Sequence, residues 1–302
     1  TAAPPLAAPP VPAAPAAPAD PASAPVPAPP PEDGVLGTVA GSPLSAADLL
    51  AEWYQVAPRE VWLVVDKLVA VRLARAEGAR LGIAVAAAEV EARAADEERK
   101  LAADVARERP GTTVERFVME ELGQDPARYA GALRCAAADQ LLIERVVRTW
   151  VLSHENLGLR LVVVPAGDIE TIQGMLAGGA DFAEVARVHS IDDTAEEGGL
   201  VPYLVRQEGS PLTLLAFQTA AGEIGGPLRA GEHELLFRVE AVRAPLAEDW
   251  EILRGPVLES LEAHPVADAE FVHWKLAMER QYPFDLRPLR ALLGASAAGQ
   301  PR

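Results

Sequence analysis

The stretch that decides the fold runs from Gly178 to Val239. It reads GGADFAEVARVHSIDD at 178–193, EEGGLVPYL at 196–204, SPLTLLAFQTAAGEIGGPL at 210–228 and GEHELLFRV at 231–239. At its start, Asp181 is a good N-cap for a short helix that carries Phe182 and Val185 at helical spacing. The polar run that follows Ser190 is typical of turns, so a long loop is predicted there.

The second half of the stretch alternates turns with short regular elements. Gly198-Gly199 opens an apolar run, and residues 212–219 have the pattern of a short helix. Residues 222–227 predict a turn, and residues 232–240 alternate as in a strand. The stretch therefore predicts a small α+β unit.

In the same order, these pieces resemble the parvulin family of peptidyl-prolyl cis/trans isomerases. The matching pieces are the GADFAEVA helix, Ser190-x-Asp192, Gly198-Gly199, Ala216-Phe217 ahead of Gly222-Glu223, Gly226-Pro227, and Gly231-x-His233. Together they cover about 85 residues with spacing close to that of the family. The alternative is an unrelated α+β domain with ordinary turn glycines.

The resemblance implies a site with two histidines on adjacent strands, a Cys or Asp in the loop, and Phe and Met lining a proline pocket. Asp192 takes the loop position and His233 takes the place of the second histidine. Ser190 and Phe217 belong to the matching motifs and are expected to bind substrate. Two alternatives stay open: His233 could serve only to hydrogen-bond within the sheet, and Asp192 could simply cap the loop.

Three positions depart from the family pattern. The spacing back from Phe182 puts Arg160 where the first histidine belongs, and Leu212 and Glu208 replace the pocket phenylalanine and methionine. A permanent cation in the site predicts a deficit of about 2–4 kcal/mol in transition-state stabilisation, or roughly 30- to 1,000-fold in rate. The link from Pro227 to His233 is also about two residues shorter than is usual in the family.

Composition limits the partners and the chemistry. The 302 residues carry 27 basic and 44 acidic side chains, and a net charge of −17 opposes binding to nucleic acid or anionic lipid. The single cysteine, Cys135, excludes an internal disulfide, and its Ala-rich surroundings predict a buried small hydrophobe. The histidines lack metal-ligand spacing, and no metal or other cofactor is expected.

Residues 1–33 are almost entirely Ala and Pro and hold 13 of the 27 prolines. Proline favours extended polyproline II, and at about 3.1 Å per residue the segment could act as a spacer on the order of 100 Å long. Its alternative role is a Pro-rich ligand for a docking domain. Because the chain starts at Thr1, we expect a processed, exported protein of the periplasm or cell envelope, with a possible membrane tether upstream.

Residues 34–157 are predicted to be a strand and turn followed by helices at 49–56, 60–77, 86–108, 114–122 and 126–153. Ser45 with Asp48, Thr112 with Glu115, and Asp125 with Pro126 are helix-start patterns. Helix 86–108 is charged and poor in large side chains, so a solvated helix is expected there.

This arrangement ahead of a parvulin-like unit is similar to the N-terminal chaperone domain of SurA- and PrsA-like folding factors. The opening at 35–44, the run Asp66-Lys67-Leu68-Val69 and Gly123-x-Asp125-Pro126-x-x-Tyr129 carry the resemblance.

Residues 245–302 predict helices with a break near His264-Pro265 and a short strand at Phe284 to Leu286. The resemblance implies that this tail returns to complete the N-terminal domain, with core residues Trp250, Phe271, Trp274 and Leu276. The expected fold class is therefore α+β: a mostly helical chaperone domain completed by a C-terminal helix, with one inserted parvulin-like domain at 158–244.

Two hypotheses of function follow. The first is an exported peptidyl-prolyl isomerase and chaperone with a degenerate, weak site, acting on unfolded or proline-containing clients as a monomer or weak dimer. The second is a non-catalytic holdase that uses the parvulin fold only to bind peptide. A third alternative is a structural subunit of an envelope assembly.

Overall fold

The computed structural model describes residues 34–207, 209–247 and 249–294. The predicted Ala/Pro-rich spacer lies outside these residues, and so does Glu208. Among the described helices, none is both long and apolar enough to span a membrane.

Helices build most of the molecule and a small antiparallel sheet builds the rest, which confirms the expected α+β class. The helices are α1 (Ala46–Val56), α2 (Pro58–Leu81), α3 (Ala87–Glu108), α4 (Val114–Glu120), α5 (Pro126–Leu152), α6 (Ile169–Ala177), α7 (Phe182–His189), α8 (Pro211–Ala216), α9 (Trp250–Ala263), α10 (Asp268–Gln281) and α11 (Arg287–Leu292). The strands are β1 (Val35–Val39), β2 (Ser42–Ser45), β3 (Asn156–Pro165), β4 (Leu200–Val205), β5 (Ile224–Ala230) and β6 (His233–Arg243).

Side-chain caps fix most of the predicted helix starts. Ser45 and Asp48 form a reciprocal capping box at α1, and Asp125 accepts a hydrogen bond from the Arg128 amide at α5. The start of α4 differs by one residue from the prediction, because Thr113 and not Thr112 accepts the hydrogen bond from the Arg116 amide. Local sequence therefore sets these boundaries.

Helix α3 is mostly solvated, as predicted, with only Ala94 and Val105 buried. Ion pairs attach it to α5. Arg93 of α3 donates two hydrogen bonds to Glu144 of α5. In the opposite sense, Arg134 and Arg145 of α5 form ion pairs with Glu91 and Glu89 of α3, respectively. Its place beside α5 thus depends on charge more than on apolar contact.

The C-terminal helices pack on the N-terminal ones. One apolar core joins α2, α5, α9 and α10; its buried members include Leu73, Val147, Val151, Leu253, Val257, Trp274 and Met278. Strand β4 also enters this core through Tyr203 and Val205, so the tail touches the sheet as well as the helices.

A buried ion pair lies inside this core. Arg148 on α5 has no exposed side-chain surface, and its guanidinium contacts Glu270 of α10, with 3.1 Å between Nε and Oε2. The same guanidinium donates to the carbonyl oxygens of Ser260 and His264 at the break between α9 and α10. It also lies 4.1 Å from the ring centroid of Tyr203. Burial raises the pKa of the Glu270 carboxyl, whereas the charge of Arg148 acts in the opposite direction.

The four-stranded sheet has the order β4-β3-β6-β5, and all its neighbours are antiparallel. One face packs on α6 and α7 through Val162, Val164 and Leu236. The other face packs on α8 through Leu159 and Phe237. The chain enters and leaves the sheet at the same place, because Asn156 at the start of β3 pairs with Arg243 at the end of β6. Just outside the sheet, the Leu246 amide donates to the Leu152 carbonyl.

Several expectations are corrected. Phe284 to Leu286 form no strand, because α11 begins directly after them and no partner strand lies alongside among the described residues. Leu276 is 47% exposed and is not a core residue, although Trp250 and Trp274 are buried.

Two further corrections concern Cys135 and the start of strand β5. Cys135 is exposed and is not a buried small hydrophobe. Strand β5 begins at Ile224, inside the segment predicted as a turn, because residues 224–230 pair with β6.

The buried ion pair generates the first prediction. Replacing Arg148 by Met should lower the free energy of unfolding by about 3–5 kcal/mol, because Glu270 loses its partner in the core. The double variant Arg148→Met, Glu270→Leu should recover part of that loss, since no uncompensated charge stays buried. Urea unfolding followed by circular dichroism measures both effects.

The matched control is Arg75→Met, which removes the ion pair with Asp139 from a guanidinium that is 61% exposed. Its effect should stay within about 1 kcal/mol. Equal losses for Arg148→Met and Arg75→Met would show that the buried pair contributes no more than a surface pair.

Candidate functional site

The two faces of β3 and β6 decide which side chains can meet. Along these strands successive side chains point to opposite faces, and directly paired residues share a face. Arg160 pairs with Arg238, two positions from the Val162 and Leu236 pair on the α7 face. The side chain of His233 points to the other face of the sheet. Leu235 and Phe237 share this face, which packs on α8.

Arg160 is engaged in holding the loop that follows α7. Its Nη1 donates to the carbonyl oxygens of Glu197 and Gly198, both at 2.9 Å. Its Nε lies 3.5 Å from Oε1 of Glu240, which also pairs with Arg238. Arg160 therefore lies on the α7 face and binds the loop backbone, and its expected place in an isomerase site stays a prediction.

Close packing explains the two glycines of this loop. A Cβ on Gly198 would lie 2.8 Å from both Arg160 Nη1 and Ala183 Cβ, and a Cβ on Gly199 would lie 2.0 Å from the Leu161 carbonyl oxygen. Both residues also have positive φ. The glycines let the loop lie directly on β3 while Arg160 binds its carbonyl groups.

His233 lies at the first position of β6, opposite Pro165, and it is exposed. The partner of Arg160 on β6 is five residues further along, which is about 17 Å at the rise of a strand. The imidazole makes no side-chain hydrogen bond to any other residue that the structure describes. It is consequently separated from Arg160 in both position and face.

Asp192 and Ser190 organise the loop where it meets β3. Ser190 Oγ accepts a hydrogen bond from the Val163 amide at 3.0 Å, and the Ile191 amide donates to the Val163 carbonyl at 2.9 Å. The Asp192 carboxylate accepts hydrogen bonds from the amide and the hydroxyl of Thr194 at 2.9 and 2.5 Å. Loop capping, the alternative that the sequence left open, is thus a role that Asp192 does perform.

Among the described residues, no hydrogen bond or ion pair joins any two of Arg160, Asp192 and His233. Arg160 and Asp192 both bind the loop that follows α7, and Asp192 and His233 both lie near the Pro165 end of β3. Glu208 lies outside the described residues. A common cleft for these side chains therefore stays a prediction.

The α8 face carries the remaining predicted site residues and is apolar. Leu212 and Phe217 are partly buried against a core of Leu159, Phe237 and Val239. On the sheet, the pair nearest the loop on this face is Val163 with Leu235. The surface can contact an apolar peptide side chain, and His233, at the start of β6, has the parity of this same face.

A second candidate site lies on the helical part. The α1–α2 groove has a volume of about 580 Å³ between α1, α2 and the segment that leads into α11. Its lining comprises Leu50, Trp53, Val61, Val64, Val65, Leu68, Val69, Arg72, Leu73, Ala76, Tyr282, Pro283, Phe284, Asp285, Leu286 and Leu289. Several of these apolar side chains are exposed, including Leu68 at 53% and Phe284 at 45%.

One lining residue of this groove, Tyr282, is held by a buried carboxylate. Tyr282 donates a hydrogen bond of 2.6 Å to Glu77, which also accepts hydrogen bonds from Arg80. Burial opposes ionisation, but the hydrogen bonds from Arg80 and Tyr282 hold the pKa of Glu77 below its ordinary value. The carboxylate stays charged and keeps Tyr282 in place at the edge of the groove.

Sequence reasoning missed this groove. The available signal is the run of five apolar residues at 61–65, which exceeds the single stripe that a helix needs to bury. Leu63 is 70% exposed and Val64 is 43% exposed, so part of this run is not buried in the core. Among the residues that the structure describes, no group of three or more His, Cys, Asp or Glu side chains could hold a metal ion.

Comparison with known proteins gives matches among solved structures. No family model matches the chain, and neither does any curated protein. PrsA from Bacillus subtilis is 14% identical, with a TM-score of 0.32, and the alignment covers 87% of this chain and 98% of that one. PrsA from Bacillus anthracis is 13% identical, with a TM-score of 0.33, over 72% of this chain and 96% of that one.

Two more matches come from the other expected groups. A structure described under the SurA-like chaperones PEB4 and Cj1289 of Campylobacter jejuni is 15% identical, with a TM-score of 0.29, over 88% of this chain and 100% of that one. A PpiC-type peptidyl-prolyl cis-trans isomerase domain is 21% identical, with a TM-score of 0.29, over 32% of this chain and 97% of that one. Both kinds of protein that the sequence resembles, parvulin-type domains and SurA- or PrsA-like factors, are thus among its structural matches.

Proposed function

We propose that this chain is a chaperone for exported polypeptides whose parvulin-like unit binds client peptide without appreciable isomerase activity. The observation that carries the proposal is the division of the candidate catalytic groups between two faces of the sheet. Arg160 holds the loop on the α7 face, while His233 lies about 17 Å along β6 with the parity of the α8 face.

Isomerase catalysis needs groups that favour the twisted amide over the planar one. The rotation barrier of a peptide bond is about 18–20 kcal/mol, and only interactions that strengthen in the transition state lower it. The apolar side chains of Leu212, Phe217 and Leu235 on the α8 face would contact a proline ring equally in both states. Such a surface supports affinity and does not support turnover.

The α1–α2 groove supports the chaperone part of the proposal. Apolar patches that stay exposed on a folded protein commonly mark interaction sites. Trp53, Leu68 and Phe284 present aromatic and aliphatic surface in its lining. An extended client segment could therefore bury several apolar side chains without a defined sequence.

We place the protein in the periplasm or cell envelope, as a monomer or weak dimer that a membrane tether upstream of residue 1 could hold. The support is the resemblance to SurA- and PrsA-like factors, which assist exported clients. The net charge of −17 fits this placement, since it disfavours nucleic acid as a partner.

A weak isomerase is the second candidate function. It is favoured by the positions of Asp192 and His233, which both lie toward the Pro165 end of β3, one on each side of that strand. A client that closed this end of the sheet could bring the two groups nearer to one carbonyl.

An isomerisation assay separates the two functions. With a short proline peptide, the wild-type chain should leave the rate within a few-fold of the uncatalysed reaction, which takes tens of seconds or more. Arg160→His should not raise the rate, because the new imidazole would lie on the α7 face. The same variant should lose about 1–3 kcal/mol of stability, since the carbonyl groups of Glu197 and Gly198 lose their donors.

Arg187→His is the matched control, because Arg187 is a surface residue of α7 with a side chain 43% exposed. It should change neither the rate nor the stability by a measurable amount. Wild-type turnover at the level of an ordinary isomerase, abolished by His233→Ala, would refute the non-catalytic proposal.

Aggregation of an unfolded client tests the groove. Leu68→Asp should weaken suppression of aggregation several-fold, because a carboxylate in an apolar groove must be desolvated when the client binds. Leu68 is already 53% exposed, so the fold should tolerate the change.

Leu63→Asp is the matched control on the same helix, since Leu63 is 70% exposed and lies outside the groove lining. Full suppression is expected for this variant. Equal activity of the two variants would place client binding elsewhere on the molecule.

A further inference from the structure

Helix α1 contacts α2 through the rings of Tyr54 and Trp62, but it is only shallowly packed. None of its eleven residues is buried, and its large apolar side chains Leu49, Trp53 and Val56 are 56%, 38% and 77% exposed. A helix of this length is marginal by itself and gains its stability from packing of its apolar side. Leu50 and Trp53 of α1 line the α1–α2 groove. A polypeptide segment bound in this groove would therefore stabilise α1.

The N-terminal segment of the chain joins the fold next to this groove. The Gly34 carbonyl accepts a hydrogen bond of 2.7 Å from the Ala46 amide at the start of α1. Leu50 and Trp53 lie four and seven residues further along, about 6 and 10 Å at the helical rise. The 33 residues that precede Gly34 could span on the order of 100 Å when extended, several times the distance that they need to return to the groove.

The chemistry of that segment matches the groove. Residues 1–33 contain 13 prolines, and Asp20 is the one charged side chain in residues 1–31. Polyproline segments bind aromatic-lined apolar grooves with little loss of conformational entropy, because the free segment already favours the bound shape. Trp53, Tyr282 and Phe284 supply aromatic side chains, and only Arg72 and Asp285 are charged in the lining.

Charge favours this occupant over a second copy of the chain. Two copies would each carry a net charge of −17, which opposes their association. The segment is nearly neutral and covalently linked, so it meets the groove at an effective concentration in the millimolar range. A modest affinity is then enough to keep the groove covered.

We propose that the Ala/Pro-rich segment of residues 1–33 binds in the α1–α2 groove of its own chain, and that clients must displace it. The inference rests on the proposed function in one respect, because it takes the groove to be the client site. The segment then acts as a built-in competitor that sets how tightly a client must bind.

The test uses the full chain and a full-length variant in which the 13 prolines of residues 1–33 are replaced by serine. A fluorescent synthetic peptide with the sequence of residues 4–30 is titrated with each protein, and anisotropy reports binding. With an effective concentration of about 1 mM and a dissociation constant of about 0.1 mM, the wild-type chain should bind the peptide about tenfold more weakly than the serine variant. Adding Leu68→Asp to the serine variant should abolish binding, whereas adding Leu63→Asp should not.

The outcomes are distinct. Equal affinity of the peptide for both proteins, or no binding to the serine variant, would overturn the proposal. A concentration-dependent dimer of the wild-type chain that Leu68→Asp dissolves would also overturn it, because the occupant would be a second copy. If the serine variant binds an unfolded client in the groove but not the segment peptide, this inference fails and the chaperone function stands. If it binds neither, both fail.

Discussion

The contact between the Arg148 guanidinium and its buried partners holds the two ends of the fold together. A guanidinium has five N–H donors and no acceptor, so every group around it must stay placed to receive its donors. Those groups come from α10, from the carbonyl ends at the break after α9, and from the ring of Tyr203 on β4. The C-terminal helices, the long helix α5 and the edge of the sheet are therefore fixed by the same side chain.

The parity of two neighbouring strands has a comparable influence on function. In a sheet, moving one residue along a strand moves a side chain to the other face. Arg160 lies on the α7 face and serves the loop there, and the α8 face receives aliphatic side chains at the positions next to it. The same small sheet thus directs a charged side chain to the loop on one face and aliphatic side chains to α8 on the other.

Much of the architecture could be predicted because its causes are local. Helix spacing and the caps at Ser45, Asp125 and Asp181 act within a few residues, and the structure shows each of them in place. The site could not be predicted in the same way. Counting back from Phe182 places a residue along the chain, but its face depends on the cross-strand register and on the irregularity between Gly158 and Leu159. The groove was also out of reach, since its walls come from residues 50–76 and 282–289, far apart in sequence.

The place where the sheet is attached has a mechanical consequence. The chain enters the sheet at Asn156 and leaves it at Arg243; these residues pair, and Arg243 also donates a hydrogen bond to Asn156. Gly34 and Leu293, near the two ends of the described chain, both lie on the helical part. A pull applied through the ends of the molecule would therefore load α1, α2 and the C-terminal helices and bypass the sheet. If the chain is held at one end while a bound client pulls on the other end, the parvulin-like unit would stay folded until the helical part unfolds.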